Sequence, residues 1–304
     1  MINDPYGRPI SNLRMSITQR CDLNCFYCHK EGEDYKAATE MIPEEIEKAV
    51  RIVTSFGVRD VKLTGGEPLL RNEVLEIVRR ISGIPIVREV AMTTNGVHLK
   101  QLAKALKENG LKRVNVSLST LKPETYKTIT GTNVLNKVID GVKEASRVGL
   151  FPIKLNMVVL NGVNEDQVWN MVDFAKENSL ILQLIEFESP NDEDEDYKKY
   201  HSNLVGIEAE LKKIAEKVTT RRMQNRRKYF LGSGEVEVVR PMHNTKFCRN
   251  CNRLRITSDG KFKPCLFRSD NLIDFLTPMR SGASDEDLKQ LFMKAVENRR
   301  PYFT

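Results

Sequence analysis

No stretch of this 304-residue chain is apolar for anything near the roughly 20 residues that a helical membrane span requires. No apolar leader precedes the first motif either, so the expected location is the cytoplasm. Cysteine is scarce: there are six, confined to 21–28 and 248–265, with no spare residue to complete either group. Such clustering excludes a disulfide frame spread over the chain and suits metal ligation in a reducing compartment. Long low-complexity linkers are absent, as is any repeat beyond an alternation of strand-like and helix-like segments. Acidic residues are outnumbered, 41 against 48 Lys and Arg, for a net charge of +7. That balance calls for an anionic partner, a nucleic acid or a phosphorylated small molecule. Aromatics are too few around the basic run Arg221–Lys228 to favour nucleic acid, since only Tyr229 and Phe230 adjoin it. A solvated basic surface, or one arginine reaching a phosphate, is the simpler reading.

What is present points to an α/β enzyme, and at 40% hydrophobic the chain can bury a large core. Short apolar strands are predicted at 13–19, 60–64, 87–94, 112–118, 152–159 and 181–188. Helical patterns fill the intervals at 43–56, 72–82, 99–109, 135–147 and 165–178. The first opens with Pro43 and the dipole-matched Glu44, Glu45 and Glu47. Six strands each followed by a crossover predict a parallel βα array that curls as a full or partial barrel like that of triosephosphate isomerase, with ligands at the carboxyl ends of the strands, and the expected form is a partial (β/α)6 barrel. Near residue 190 the pattern changes. The run Asp192–Asp196 reads as a solvated acidic loop, followed by a helix at 204–216, strands at 235–240 and 253–257, and a closing helix at 285–298. The expected division is therefore a barrel over 1–190 and a small α+β unit over 191–304 packed on it.

The first cysteine group reads Cys21-Asp22-Leu23-Asn24-Cys25-Phe26-Tyr27-Cys28. Thiolates so spaced suit three corners of an iron–sulfur cube and leave one iron open. A zinc knuckle completed by the adjacent His29 is the alternative. Downstream, Val61-Lys62-Leu63-Thr64-Gly65-Gly66-Glu67-Pro68 is an apolar strand breaking into a glycine turn, where a backbone without Cβ atoms admits close approach. Cysteine motif and turn, in this order, resemble the radical S-adenosylmethionine (SAM) enzymes. The resemblance implies a [4Fe-4S] cluster on Cys21, Cys25 and Cys28 whose open iron chelates SAM. An electron then splits SAM to a 5′-deoxyadenosyl radical.

The second group, Cys248-Arg249-Asn250-Cys251, returns to Cys265 through a predicted hairpin turning at Asp259-Gly260. Again there are three thiols, with His243 as a possible fourth zinc ligand or, in the other reading, a second open-iron cube. The longer pattern, Phe247-Cys248 through Asn252-Arg253-Leu254-Arg255 and Thr257 to Gly260 and Cys265-Leu266, resembles one branch, the GTP 3′,8-cyclase family. These lyases open molybdenum cofactor (molybdopterin) biosynthesis.

The resemblance runs from about residue 5 to about residue 270. It implies a second [4Fe-4S] cluster on Cys248, Cys251 and Cys265 that anchors guanine. It also implies SAM contacts at Tyr27, Gly66 and Ser117, and GTP contacts at Arg14, Lys62, Thr93, Lys154, Arg253 and Arg255. A reduced electron donor and delivery of the product to cyclic pyranopterin monophosphate synthase are further implications, with the chain a monomer or a homodimer. Arg253 and Arg255, two apart on a strand, share a face on which guanidinium forks meet phosphate oxygens. Lys154, among apolar neighbours, needs an anion, which a triphosphate or a structural carboxylate supplies. The chain departs from the family pattern at Lys62, where many relatives carry arginine, and at Glu188, where a methionine often contacts SAM. It also ends Arg299-Arg300-Pro301-Tyr302-Phe303-Thr304 where bacterial relatives end in a Gly-Gly tail. The competing readings are a peptide-modifying radical SAM enzyme with an auxiliary cluster and a zinc-holding nucleic-acid-binding protein.

Overall fold

The computed structural model describes residues 2–33, 35–189, 191 and 193–304. Six strands run parallel in sequence order: β1 Asn12–Ser16, β2 Asp60–Thr64, β3 Glu89–Thr94, β4 Arg113–Ser117, β5 Lys154–Val159 and β6 Ile181–Glu186. They fall where the apolar periodicity predicts them, and helices cross between them: α1 Pro43–Thr54, α2 Val74–Ser82, α3 Leu99–Glu108, α4 Pro123–Thr130, α5 Leu135–Arg147 and α6 Val168–Glu177. Only α4 is unforeseen, although its signals are plain: Pro123 in the first turn and left-handed Gly131 just past the end.

Each strand is two-faced, because successive side chains point to opposite sides. Leu13, Met15, Leu63, Met92, Val116 and Leu184 are fully buried and share one core with the helix residues Ile46, Ile77, Leu106 and Val138. The alternate positions Asn12, Arg14, Lys62, Asn115, Lys154 and Gln183 face a cavity on the inner side. A parallel sheet normally buries apolar residues on both faces. The polar inner face therefore marks a binding site rather than a second core layer.

The C-terminal third contributes α7 Glu195–Tyr200, α8 Val205–Ile214, β7 Lys217–Arg221, β8 Arg226–Leu231, β9 Gly234–Val239, α9 Thr245–Arg249, β10 Arg253–Ile256, β11 Lys261–Lys263, β12 Ile273–Asp274, α10 Leu276–Arg280 and α11 Asp285–Glu297. Its strands extend the barrel sheet at both edges: β9 pairs parallel with β6, and β10 pairs parallel with β1. Hairpins then finish each flank, giving the order β12-β11-β10-β1-β2-β3-β4-β5-β6-β9-β8-β7. The predicted turn at Asp259-Gly260 joins β10 to β11, with Gly260 at φ 75°.

Two surface expectations need correction. Asp192 lies outside the described residues, but Glu195 and Asp196 open α7, and Asp194 caps it by accepting from the Asp196 amide at 2.9 Å. That end of the acidic run is helix, stabilised because carboxylates suit a helix N-terminus. The basic run is a hairpin rather than a uniform surface. Arg222 and Arg227 are exposed, whereas Arg226 is buried against Glu237 at 3.4 Å. No helix among the described residues is long and apolar enough to cross a membrane.

Candidate active site

The loop carrying Cys21, Cys25 and Cys28 leaves the carboxyl end of β1 and is held mainly through its backbone. Gly66 N donates to Thr18 O at 2.8 Å and Glu67 N to Arg20 O at 2.7 Å. A Cβ at Gly65 would sit 2.2 Å from Thr18 O, and one at Gly66 would sit 2.2 Å from Arg20 O. The glycine pair is thus required by the chain leading into Cys21, a constraint beyond the close approach to a ligand that its composition suggests. From the other side, Asn24 N and Phe26 N donate to Thr130 O and Ile129 O at the end of α4, at 3.0 and 3.2 Å. Glu67, whose role the sequence reading missed, locks the turn to the loop after β3. Its carboxylate accepts from Leu69 N at 2.9 Å, Thr94 Oγ1 at 2.7 Å and Asn95 N at 2.6 Å. Full burial pushes its carboxyl up to about 7 despite those bonds.

The second group is set by charged side chains. Asp4, buried, accepts from Arg8 Nε at 2.7 Å and pairs with Arg299 at 2.7 Å. Arg8 donates onward to Cys248 O at 3.1 Å, and Arg299 donates to Arg253 O at 3.0 Å and to Cys251 O. Burial alone would raise the Cys251 thiol, yet Arg299, Arg253 and Arg8 outweigh it and hold it below its ordinary value. The C-terminal segment reaches this region as well. Phe303 N donates to Cys248 Sγ at 3.5 Å, and the Tyr302 ring packs on Phe267 at 5.1 Å.

Between the groups lies a cavity of about 300 Å³ lined by all six cysteines. Its strand-borne lining includes every residue singled out from the sequence for the nucleotide: Arg14, Lys62, Thr93, Lys154, Arg253 and Arg255. Tyr27, Gly66 and Ser117 line it too, and the Tyr27 hydroxyl lies 3.3 Å from Ser119 Oγ. The anion beside Lys154 is Glu237, at 2.6 Å, which also faces Arg226 and Arg221 at 3.4 Å and accepts from Gln183 at 2.7 Å. Glu237 and the buried Glu31, like Glu67 and Asp4, are acids whose roles the sequence reading did not find.

Two further cations, Lys62 and Arg253, have no carboxylate partner among the described residues. Among those residues Lys62 donates only to Asn115 Oδ1, at 2.8 Å. Burial, reinforced by Arg113, Arg14, Arg253 and Lys154, drives it well below the usual lysine range. Among the described residues Arg253 has a buried Nε without a partner, and Thr93 a buried hydroxyl without one. Uncompensated buried charge is costly, so this surface is prepared for a polyanion.

The donor chemistry fits clusters better than zinc. Both nitrogens of His29 are engaged: Nδ1 accepts from Glu31 N at 3.0 Å and Nε2 faces Glu188 at 3.4 Å. His243 packs against the Phe303 ring at 5.0 Å. Among the described residues no three His, Cys, Asp or Glu side chains converge as a single ion requires. A cube asks for a different geometry, because each thiolate takes its own iron.

Comparison with known proteins bears on the same regions. A family model for the radical SAM superfamily matches residues 15–175, and one described as Molybdenum Cofactor Synthesis C matches residues 180–304. The chain is 53% identical over its whole length to a probable GTP 3′,8-cyclase of Thermococcus kodakarensis, all of which it covers. It is 46% identical to one from Methanocaldococcus jannaschii, with 99% of both chains covered. Among solved structures, anSMEcpe with bound AdoMet superposes with a TM-score of 0.63 at 18% identity, over 95% of this chain and 80% of that one. SuiB of Streptococcus suis bound to S-adenosylmethionine gives 0.65 at 18% identity, over 86% of this chain and 62% of SuiB. At that identity the structural likeness speaks to the fold.

Proposed function

This chain belongs to the GTP 3′,8-cyclase family of radical SAM enzymes, and from that premise we propose that it converts GTP to (8S)-3′,8-cyclo-7,8-dihydro-GTP, the first step of molybdopterin biosynthesis. The observation that carries the reading is one cavity lined by two separate cysteine triads and by two cations, Lys62 and Arg253, that have no carboxylate partner among the described residues. Cys21, Cys25 and Cys28 would hold a [4Fe-4S] cluster, which with SAM would supply radical chemistry at the ribose 3′ position. Cys248, Cys251 and Cys265 would hold a second cluster, which would supply an anchor for guanine.

The chain's own residues do the rest. Tyr27, Gly66 and Ser117 hold SAM beside the first triad. Arg14, Lys62, Arg253 and Arg255 take the triphosphate, with Lys154 and Thr93 completing the nucleotide contacts. The guanidinium forks match phosphate oxygens in pairs, and their anchoring holds base and sugar of one molecule in reach for ring closure. A reduced electron donor, a cytoplasmic setting and hand-off to cyclic pyranopterin monophosphate synthase complete the reading.

The test is anaerobic reconstitution with iron and sulfide, then incubation with SAM, reductant and GTP under mass spectrometry. About eight irons per chain and a GTP-dependent product of GTP mass are expected. Four irons, or SAM cleaved with GTP untouched, would redirect the search to another substrate. Cys251→Ala is expected to retain SAM cleavage and abolish cyclisation; normal GTP conversion by that variant would remove the guanine-anchoring role.

A further inference from the structure

Three cations stand abreast across neighbouring strands, since Arg14 is in register with Arg255 of β10 on one side and with Lys62 of β2 on the other. Like charges side by side in a sheet repel. Glu31 enters this row from outside the sheet, on the segment that follows Cys28. Its carboxylate accepts from Thr64 Oγ1 at 2.7 Å, from Arg14 at 3.4 Å and from Arg255. It is buried; burial alone would raise its carboxyl, but Arg14 and Arg255 hold it well below the usual range.

The backbone that delivers Glu31 is strained. Lys30, Glu31 and Gly32 lie in succession at φ 47°, 53° and 71°, a conformation that residues with a Cβ rarely adopt. Such strain persists only where the surroundings impose it, and here they come from both halves of the site. His29 Nδ1 accepts from Glu31 N at 3.0 Å. Gly32 abuts the chain next to Cys265 so closely that a Cβ would fall 2.5 Å from Leu266 O. Glu33 accepts from the Ser258 hydroxyl at 2.6 Å, in the turn between β10 and β11. The segment 29–33 is therefore a strut between the two cysteine groups, and Glu31 is its inward arm.

We propose that Glu31 is a positioning residue: it takes one donor from each of Arg14 and Arg255, so that their remaining N–H groups are preset for the nucleotide and tied to the loop of the first cysteine group. The inference rests on the reading of this cavity as a GTP site. It predicts a split that a merely structural residue would not produce. Removing the carboxylate takes a negative charge away from anion-binding arginines, which favours GTP binding, while their alignment is lost.

Two measurements on the reconstituted enzyme separate these effects: the GTP dissociation constant by equilibrium dialysis without reductant, and the cyclised product formed per 5′-deoxyadenosine. In Glu31→Gln the affinity is expected to be unchanged or tighter, and the product ratio to fall by about tenfold or more, the scale on which small misplacements are felt. Glu31→Asp keeps the charge but shortens the reach, so its ratio should fall less at wild-type affinity. Affinity lost with the ratio intact, or wild-type values for both, would overturn the proposal. If Glu31→Gln does not fold, Glu31→Asp decides, and a wild-type product ratio there overturns the proposal equally. Wild-type enzyme that neither binds nor converts GTP would instead defeat the substrate reading beneath it.

Discussion

The two cysteine groups face one cavity but are held by different means. Cys21 and Cys28 are exposed on a loop whose backbone is hydrogen-bonded to the glycine turn and the end of α4. Cys248 is buried, and the carbonyls of Cys248 and Cys251 are gripped by Arg8 and Arg299, which share the single carboxylate of Asp4. Backbone tethers leave the thiols of the first group open to a cofactor. Charged tethers bring positive potential to Cys251 of the second, whose thiol they hold below its ordinary value, while burial raises that of Cys265. The lesson is that equal cysteine counts do not make equal sites; what supports the thiols sets their electrostatics.

Breaking the charged support should have the largest effect. Asp4→Asn leaves two buried guanidinium groups without an anion, at a cost of about 3–5 kcal/mol, readable as a lowered denaturation midpoint. Iron should be lost from the second group first, leaving SAM cleavage in place; an unchanged midpoint would show that the charged support is not needed. Glu67 tests the backbone-held side by pH. Its carboxyl is raised to about 7 from an ordinary 4.5, so the folded state binds the proton more tightly. The stabilisation is complete below 4.5 and is lost as pH rises through 7, about 3 kcal/mol in all. The stability difference between wild type and Glu67→Gln should therefore change by that amount across the window, and a constant difference would refute the assignment.

Arg253, between the groups, should matter to the substrate rather than to the fold. Arg253→Ala is expected to weaken GTP binding by about 1.5–3 kcal/mol in equilibrium dialysis, and undiminished affinity would remove it from the phosphate grip. Gly66→Ala completes the comparison from the first group. Relieving its contact with Arg20 O should cost roughly 1–3 kcal/mol and displace the chain entering Cys21, so that iron and SAM cleavage fall together. Full SAM cleavage in that variant would mean the turn has slack.

Much of this was legible along the chain. The βα alternation, both cysteine spacings and the hairpin that returns Cys265 are local patterns, and local patterns survive in one dimension. The partners of the site's cations were not. Lys154 could be recognised as a buried lysine in need of an anion, but Glu237, which pairs with it at 2.6 Å, lies on a strand that the chain reaches only after three more helices, strand β6 and the β7–β8 hairpin. Glu31 sits within a loop of unremarkable composition, and its meeting with Arg255 spans 224 residues. The basic run around Arg221 did not reveal which of its arginines turns inward, or that Arg226 does so to meet Glu237.

By itself, then, the sequence determined which chemistry is on offer: soft thiols in threes, a glycine turn, arginines alternating on a strand. These follow from spacing, which the covalent chain imposes directly. Only the tertiary structure decided which charges meet. Adding β10 to one edge of the barrel and β9 to the other brings Arg255 beside Arg14 and Glu237 beneath Lys154. Pairing of that kind depends on sheet order and register, long-range properties that no window of sequence contains.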